Sequence, residues 1–187
     1  LDTGTYSVTI TDFLGCIKDT SITINQPDSI DISGAVTNIL CDGDDNGTIN
    51  INVIGGNAPV NWSWTSSDPT FVDPGSNATS LTSLNGATYT VSVVDNLACA
   101  KDTTFTINEP NVITPTIAID SNASCNGASD AGVTATAVGG SVAVDYSYLW
   151  DDPAAQNTAT AINLSAGTYE VTITDDNGCN TTENVKI

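Results

Sequence analysis

One segment of this chain occurs three times. It reads GTYSVTITDFLGC at residues 4–16, ATYTVSVVDNLAC at 87–99 and GTYEVTITDDNGC at 167–179. The copies align at Cys16, Cys99 and Cys179, with spacings of 83 and 80 residues. Recurrence at nearly equal spacing means that a single folding unit has been copied in tandem, which constrains the fold more than any local pattern does. A second landmark precedes the two later copies: LCDGDDNGTININVIGG at 40–56 and SCNGASDAGVTATAVGG at 124–140, whose cysteines Cys41 and Cys125 lie 84 residues apart. A third follows the first two copies, as SITINQP (21–27) and TFTINEP (104–110); Cys16 to Pro27 and Cys99 to Pro110 both measure 11 residues.

These landmarks divide the chain into the C-terminal half of a truncated repeat (1–27), a complete repeat (28–110) and a second complete repeat (111–187). Proline cannot donate to a strand ladder, so Pro27 and Pro110 mark strand ends and place the interdomain linkers. The opening half-repeat reads as a fragment of something longer, with Tyr6, Val8 and Ile10 facing a core that it cannot complete by itself.

Within a unit, Tyr89, Val91 and Val93 alternate with Thr90 and Ser92, and Tyr169, Val171 and Ile173 repeat the pattern, as a strand with one buried face does. The D-x-x-G/A-C that follows opens with a turn-forming Asp and has Gly in two of its three copies where a positive φ is wanted. That predicts a hairpin into a last strand. Helical spacing is absent, Asp outnumbers Glu 19 to 3, and Thr, Ser and Asn abound, so the chain is expected to be all-β. Upstream, SLTSLNGATY and TAINLSAGTY resemble the Leu-x-x-Gly corner and tyrosine-bearing strand of immunoglobulin-like and fibronectin-like domains. Each repeat of about 80 residues is therefore expected to be an antiparallel β-sandwich of six or seven strands.

Charge narrows the partners. With 22 acidic and 3 basic residues the formal charge is −19, a field that repels phosphate backbones and anionic headgroups. Nucleic acid is not expected as a partner, nor is membrane insertion, because no apolar run approaches a spanning length. Catalysis has little to work with: there is no His to activate a nucleophile, and the adjacent Asp151 and Asp152 sit in an apparent turn. No enzyme is expected and no cofactor, apart from a candidate calcium ion.

Five cysteines leave one over. The repeat offers a pairing: Cys41 with Cys99 and Cys125 with Cys179 as structural disulfides, leaving Cys16 unpaired. Closing a 58-residue loop adds roughly 4 kcal/mol on the chain-entropy model and implies an oxidising, extracellular setting. This pairing requires an even number of strands between the partners. A seven-strand immunoglobulin topology puts them at opposite ends of the sandwich, in which case the pairing fails.

Two binding sites are candidates. DGDDNG (42–47) fits the opening of a calcium loop, with Asp42, Asp44 and Asn46 as oxygen donors and Gly47 at the bend, although Val53 stands where the twelfth-position acid belongs. Trp62 and Trp64 share a strand face with Val60, as Tyr146, Tyr148 and Trp150 do in the next repeat. Exposed, such a ladder stacks on carbohydrate rings; buried, it fills a small core. Asn-x-Ser/Thr sequons at Asn46, Asn61, Asn77, Asn122, Asn163 and Asn180 are expected from composition in so Asn- and Thr-rich a chain.

The order of features is a Cys-Asn/Asp-Gly loop, a strand ending in Gly-Gly, an aromatic-x-aromatic strand, then Leu-x-x-Gly-Thr-Tyr-x-Val-x-Ile-Thr-Asp and an Asn-Gly-Cys turn. It resembles the SprB repeat of gliding-motility adhesins from Bacteroidetes-type bacteria. CNGASDAGVTATAVGG and GTYEVTITDDNGC carry the resemblance most fully; Ala87 and Ala98 replace glycines in the middle copy. The resemblance implies a very large cell-surface protein, exported by type IX secretion and attached to the outer membrane through regions outside this fragment. Its tandem modules extend an adhesive filament. The expected role is thus a structural spacer or stalk, with neighbouring repeats of the same chain as partners. A carbohydrate- or calcium-binding module is the alternative, with a surface polysaccharide as candidate ligand. A further alternative is a self-associating filament subunit.

Overall fold

The computed structural model describes residues 1–141 and 145–187. A hairpin of β1 (Gly4–Thr11) and β2 (Ile17–Ile24) comes first. The next six strands are β3 (Asp31–Thr37), β4 (Gly47–Ile54), β5 (Asn61–Ser66), β6 (Ser80–Leu84), β7 (Thr88–Val94) and β8 (Ala100–Thr106). They form two three-stranded antiparallel sheets, ordered β3-β4-β6 and β5-β7-β8. The last six are β9 (Thr114–Ser121), β10 (Ser129–Val138), β11 (Ser147–Trp150), β12 (Thr160–Ser165), β13 (Thr168–Thr174) and β14 (Asn180–Lys186). They repeat the arrangement as β9-β10-β12 and β11-β13-β14. The chain is all-β, in tandem immunoglobulin-like sandwiches of six strands each.

Period-two patterning explains the layers. Tyr89, Val91 and Val93 on β7 have no exposed surface, while Thr90 and Ser92 point outward; Val171 and Ile173 on β13 are equally buried. Facing them are Ile49, Ile51 and Leu81 from the opposite sheet of the first sandwich, and Ala131, Val133 and Ala135 in the second. On the outer face Thr90 and Thr104 share a cross-strand hydroxyl contact of 2.9 Å, the kind of pair that suits Thr to a half-exposed sheet. The tyrosine hydroxyls donate four residues back, Tyr89 to the Asn85 carbonyl at 3.0 Å and Tyr169 to that of Ser165 at 3.1 Å. Tyr6 makes the same bond to Asp2 at 2.9 Å. All three copies thus carry the tyrosine corner of immunoglobulin-like sandwiches.

The path of the chain through each sandwich decides where its cysteines lie. β3 runs away from the N-terminal pole and ends at Thr37, so the loop bearing Cys41 lies at the C-terminal pole. β4 returns, β5 goes out again, and residues 67–79 then come back along the sandwich without forming a strand. Ser67 is bonded near the start of β7, at Thr88, whereas Asn77 is bonded beside the start of β5, at Trp62. β6 therefore sets out again from the N-terminal pole, antiparallel to β4. This silent traversal makes five crossings between Cys41 and Cys99 and puts the two cysteines at opposite poles. In the second sandwich 151–159 plays the same part.

The β1–β2 hairpin has the register of β7–β8 and no opposing sheet. Val8 and Ile10 are 47% and 58% exposed, where their counterparts Val91 and Val93 are at 0%. Among the described residues no helix is long and apolar enough to cross a membrane.

Candidate functional site at the junction between repeats

Where one sandwich ends and the next begins, backbone hydrogen bonds, a side-chain contact and a disulfide converge. β8 leads through residues 107–113 into β9, and the backbone of this linker is fixed at both sides. Asn108 accepts from Ile39 N–H at 3.0 Å, and Asn111 accepts from Gly140 N–H at 2.7 Å. Gly139 has φ +92° and lies against the Val112 carbonyl, where a Cβ would overlap the backbone, so this Gly-Gly pair exists to let the linker approach. Across the joint the Cys41 loop reaches the β13–β14 turn. Cys41 and Cys179 form a disulfide with Cα atoms 5.5 Å apart, and Asn177 Nδ2 donates to the Leu40 carbonyl at 3.2 Å. Glu109 Oε1 holds the same loop from below by accepting Gly43 N–H at 2.7 Å.

A buried carboxylate shapes the turn that presents Cys179. Asp175 Oδ1 accepts from Asn177 N–H at 2.9 Å and Cys179 N–H at 3.0 Å, and its Oδ2 accepts from Ser141 N–H at 2.8 Å. Asp95 is bound alike, to Leu97 and Cys99 at 2.8 Å and to Asn57 at 3.0 Å. Both aspartates are 6% exposed. Each therefore stitches the cysteine turn to the loop after the Gly-Gly pair. For Asp95 the Asn57 N–H does most to hold the carboxyl below its ordinary pKa. For Asp175 burial pushes upward, and the N–H groups of Ser141, Cys179 and Asn177 outweigh it.

The sign follows from the lowered pKa. Between the folded and unfolded values the unfolded chain binds more protons, so this contribution to stability is complete above about pH 4 and is lost as pH falls through the lower, folded value. In urea titrations at pH 7, 4 and 3, the gap in midpoint between the native chain and an Asp95→Asn, Asp175→Asn variant should be widest at pH 7 and close at acid pH. A gap that does not change with pH would mean the carboxylates act only by shape. Comparing the two chains cancels most of the general relief of self-repulsion that acid brings to so anionic a surface.

The expected sites fare differently. The pairings Cys41–Cys99 and Cys125–Cys179 are corrected: Cys41 bonds Cys179, and Cys16, Cys99 and Cys125 are exposed free thiols. The extra traversal by 67–79 is the physical reason, since it separates the intended partners by the height of a sandwich. The calcium reading of Asp42, Asp44 and Asn46 is not supported by the geometry. Asn46 turns its amide nitrogen to Asp44 Oδ2 at 3.1 Å, the Asp44 N–H closes a turn on the Cys41 carbonyl at 3.2 Å, and Gly47 opens β4 instead of making the bend. Among the described residues no group of three or more carboxylates or thiols converges. The loop is a turn that presents a cysteine.

The carbohydrate ladder is also corrected. Trp64 is 2% exposed, with Phe105 at 6.2 Å between ring centroids, and Trp62 packs half-buried against the same core. Both indoles donate to the Ala78 carbonyl at 3.0 Å, and Trp150 donates likewise to Thr158. A stacked sugar needs an open ring face, which Trp64 does not offer. Asp152 is buried, but Ala154 and Gln156 satisfy it and hold its pKa down against burial, the reverse of what a general acid needs. The aspartate cradle was missed as a site. Its signal is the Asp that opens all three D-x-x-G/A-C turns, which sequence reasoning took for a turn former alone.

The SprB repeat model matches residues 33–69 and 118–155. Each match starts in the first strand of a sandwich and runs through the cysteine loop, the Gly-Gly pair and the aromatic strand, stopping before the tyrosine hairpin. No curated protein matches the chain by sequence. Among solved structures, three N-terminal domains of the outer capsid protein Hoc of bacteriophage RB49 align at 16% identity and TM-score 0.45, over 86% of this chain and 58% of that one. A C-terminal fragment of intimin, solved with the intimin-binding domain of its translocated receptor, aligns at 16% identity and TM-score 0.46, over 87% and 64% of the two chains. The amphioxus IgVJ-C2 molecule gives 17% identity and TM-score 0.33, over 87% and 98%.

Proposed function

We propose that this pair of SprB-type repeats is a structural spacer in a large secreted cell-surface protein, an adhesin or extracellular filament, and that it performs no catalysis. The observation that carries the reading is the junction: one six-stranded sandwich occurs twice, joined pole to pole, with a fixed linker and a covalent clasp. Such joints set distance and direction between modules, which is what a spacer supplies. The SprB matches favour the cell surface, and a disulfide fits an oxidising compartment. Type IX secretion, outer-membrane attachment through other regions, and a part in gliding motility complete the same reading. Contact with a surface polysaccharide then falls to other modules.

The test is in the producing cell. Antibody against residues 28–187 should stain intact cells, and in-frame removal of one whole repeat should shorten the surface structure while leaving attachment in place. Staining only after permeabilisation, or attachment abolished by loss of one repeat, would sink the proposal. The exposed Val8–Ile10 face of the β1–β2 hairpin favours a second reading, self-association through that hairpin. Sedimentation of the native chain against a Val8→Asp, Ile10→Asp variant decides it: a concentration-dependent dimer lost in the variant supports association, and two monomers refute it.

A further inference from the structure

The chain contains two junctions of one design, and only the second is clasped. There, the Cys41–Cys179 bond borders a groove lined by Pro110, Val112, Ile113 and Asp175. One repeat earlier, Pro27, Ser29, Ile30 and Asp95 hold the same places around a groove of about 550 Å³, with the exposed Cys99 on its rim. The backbone agrees as well: Gly56 N–H donates to Asp28 at 2.9 Å as Gly140 does to Asn111 at 2.7 Å, and Gly55 abuts the Ser29 carbonyl as Gly139 abuts that of Val112. Eleven residues separate Cys16 from Pro27 and Cys99 from Pro110, so the linkers match in length too. At the far pole of the second sandwich, Cys125 closes the turn that Cys41 closes in the first: its carbonyl accepts from Ala128 N–H at 3.0 Å, as that of Cys41 accepts from Asp44 at 3.2 Å. Its thiol is exposed.

We propose that Cys99 and Cys125, like Cys16 of the opening half-repeat, are free ends of a disulfide series, in which the loop cysteine of each repeat bonds the turn cysteine of the repeat after it. The occupant of the Cys99 groove is the cysteine loop of another repeat of this kind, and Cys125 enters the matching groove of a further one. What identifies the occupant is the second junction, where that groove is bordered by such a loop and bonded to it. Each bond removes two protons and two electrons from a pair of thiols. A disulfide oxidant accepts them by exchange and leaves as two thiols. The inference rests on the junction alone and stands whether or not the array is a surface spacer.

The test extends the chain. Ile187 stands where Ile107 stands one repeat earlier, so Asn-Glu-Pro followed by a second copy of residues 111–187 is joined after it. Both chains are oxidised with glutathione disulfide and their thiols titrated. The added copy brings two cysteines, yet the free thiols should stay at the three of the native chain, Cys16, Cys99 and the loop cysteine now at the far end. Non-reducing peptide mapping should link Cys125 to the appended counterpart of Cys179. Two extra free thiols, or a bond within one repeat, would overturn the proposal. A probe on the native chain guards against poor folding of the extension. A peptide of residues 40–47, offered in the same buffer, should form its mixed disulfide at Cys99 at least several-fold faster than at Cys16, whose turn belongs to a lone hairpin and is flanked by the exposed Phe13 and Leu14. Equal rates at the two would also overturn it.

Discussion

A Cys41→Ser variant is expected to lose about 5 kcal/mol against unfolding of the whole chain, the chain-entropy value for a bond spanning 138 residues. No other single change is expected to cost more, and the loss has a particular form. Each sandwich keeps its own core, because Cys41 belongs to neither cluster of buried residues and Cys179 only packs against the edge of the second. Without the bond, the Cys41 loop is tied to the second sandwich by the Asn177–Leu40 bond, a contact exposed to water and worth little. The native oxidised chain should therefore unfold in one calorimetric transition, and the variant in two, one per sandwich. Reductant should make the native chain behave like the variant, while adding it to the variant should change nothing. If reductant leaves the native trace unaltered, the two halves are coupled by something other than this bond.

A Trp150→Ala variant should lose about 3–5 kcal/mol, all of it from the second sandwich. Trp150 is 1% exposed and gives its N–H to Thr158 at 3.0 Å, so truncation leaves a cavity and an unpaired carbonyl together. A domain of this size has a total stability of about 4–12 kcal/mol, so in the Cys41→Ser background, where the sandwiches melt separately, the transition of the second sandwich should fall by roughly 20 °C or disappear. Trp62 and Trp64 remain as the only indoles, both in the first sandwich, and report it separately. Their emission should stay blue-shifted through the temperature at which the circular dichroism of the second half is lost. A loss under about 1 kcal/mol would show that the indole is not in the core and would reopen the aromatic ladder as a binding surface.

Much of this fold is legible in the residues because burial imposes a period. Tyr89, Val91 and Val93 can hardly alternate with Thr and Ser for any reason other than one dry face, and three copies of the motif fix the tandem arrangement. What the residues do not show is the stretch 67–79. It crosses the sandwich as coil, without periodicity and without a ladder, so it leaves no mark on the pattern. Yet it adds a crossing, reverses the parity of every later strand and moves Cys99 to the other pole. The error in pairing follows from that one segment. The aspartate cradle is half legible: the local bonds from Asp95 to Leu97 and Cys99 belong to a recognisable turn. The bond to Asn57 depends on a loop 38 residues away that only the folded sandwich brings near.

The clasp also changes how the chain meets a pull on its two ends. Tension entering at Leu1 runs covalently to Cys41, crosses the sulfur–sulfur bond to Cys179 and leaves at Ile187, so the residues between bear none of it through the backbone. Extended, 138 residues reach roughly 450–500 Å, and that length is held in reserve while the bond stands. Reduction would convert a short, stiff tether into one that can pay out chain, with the strands from β4 to β13 newly in the line of force.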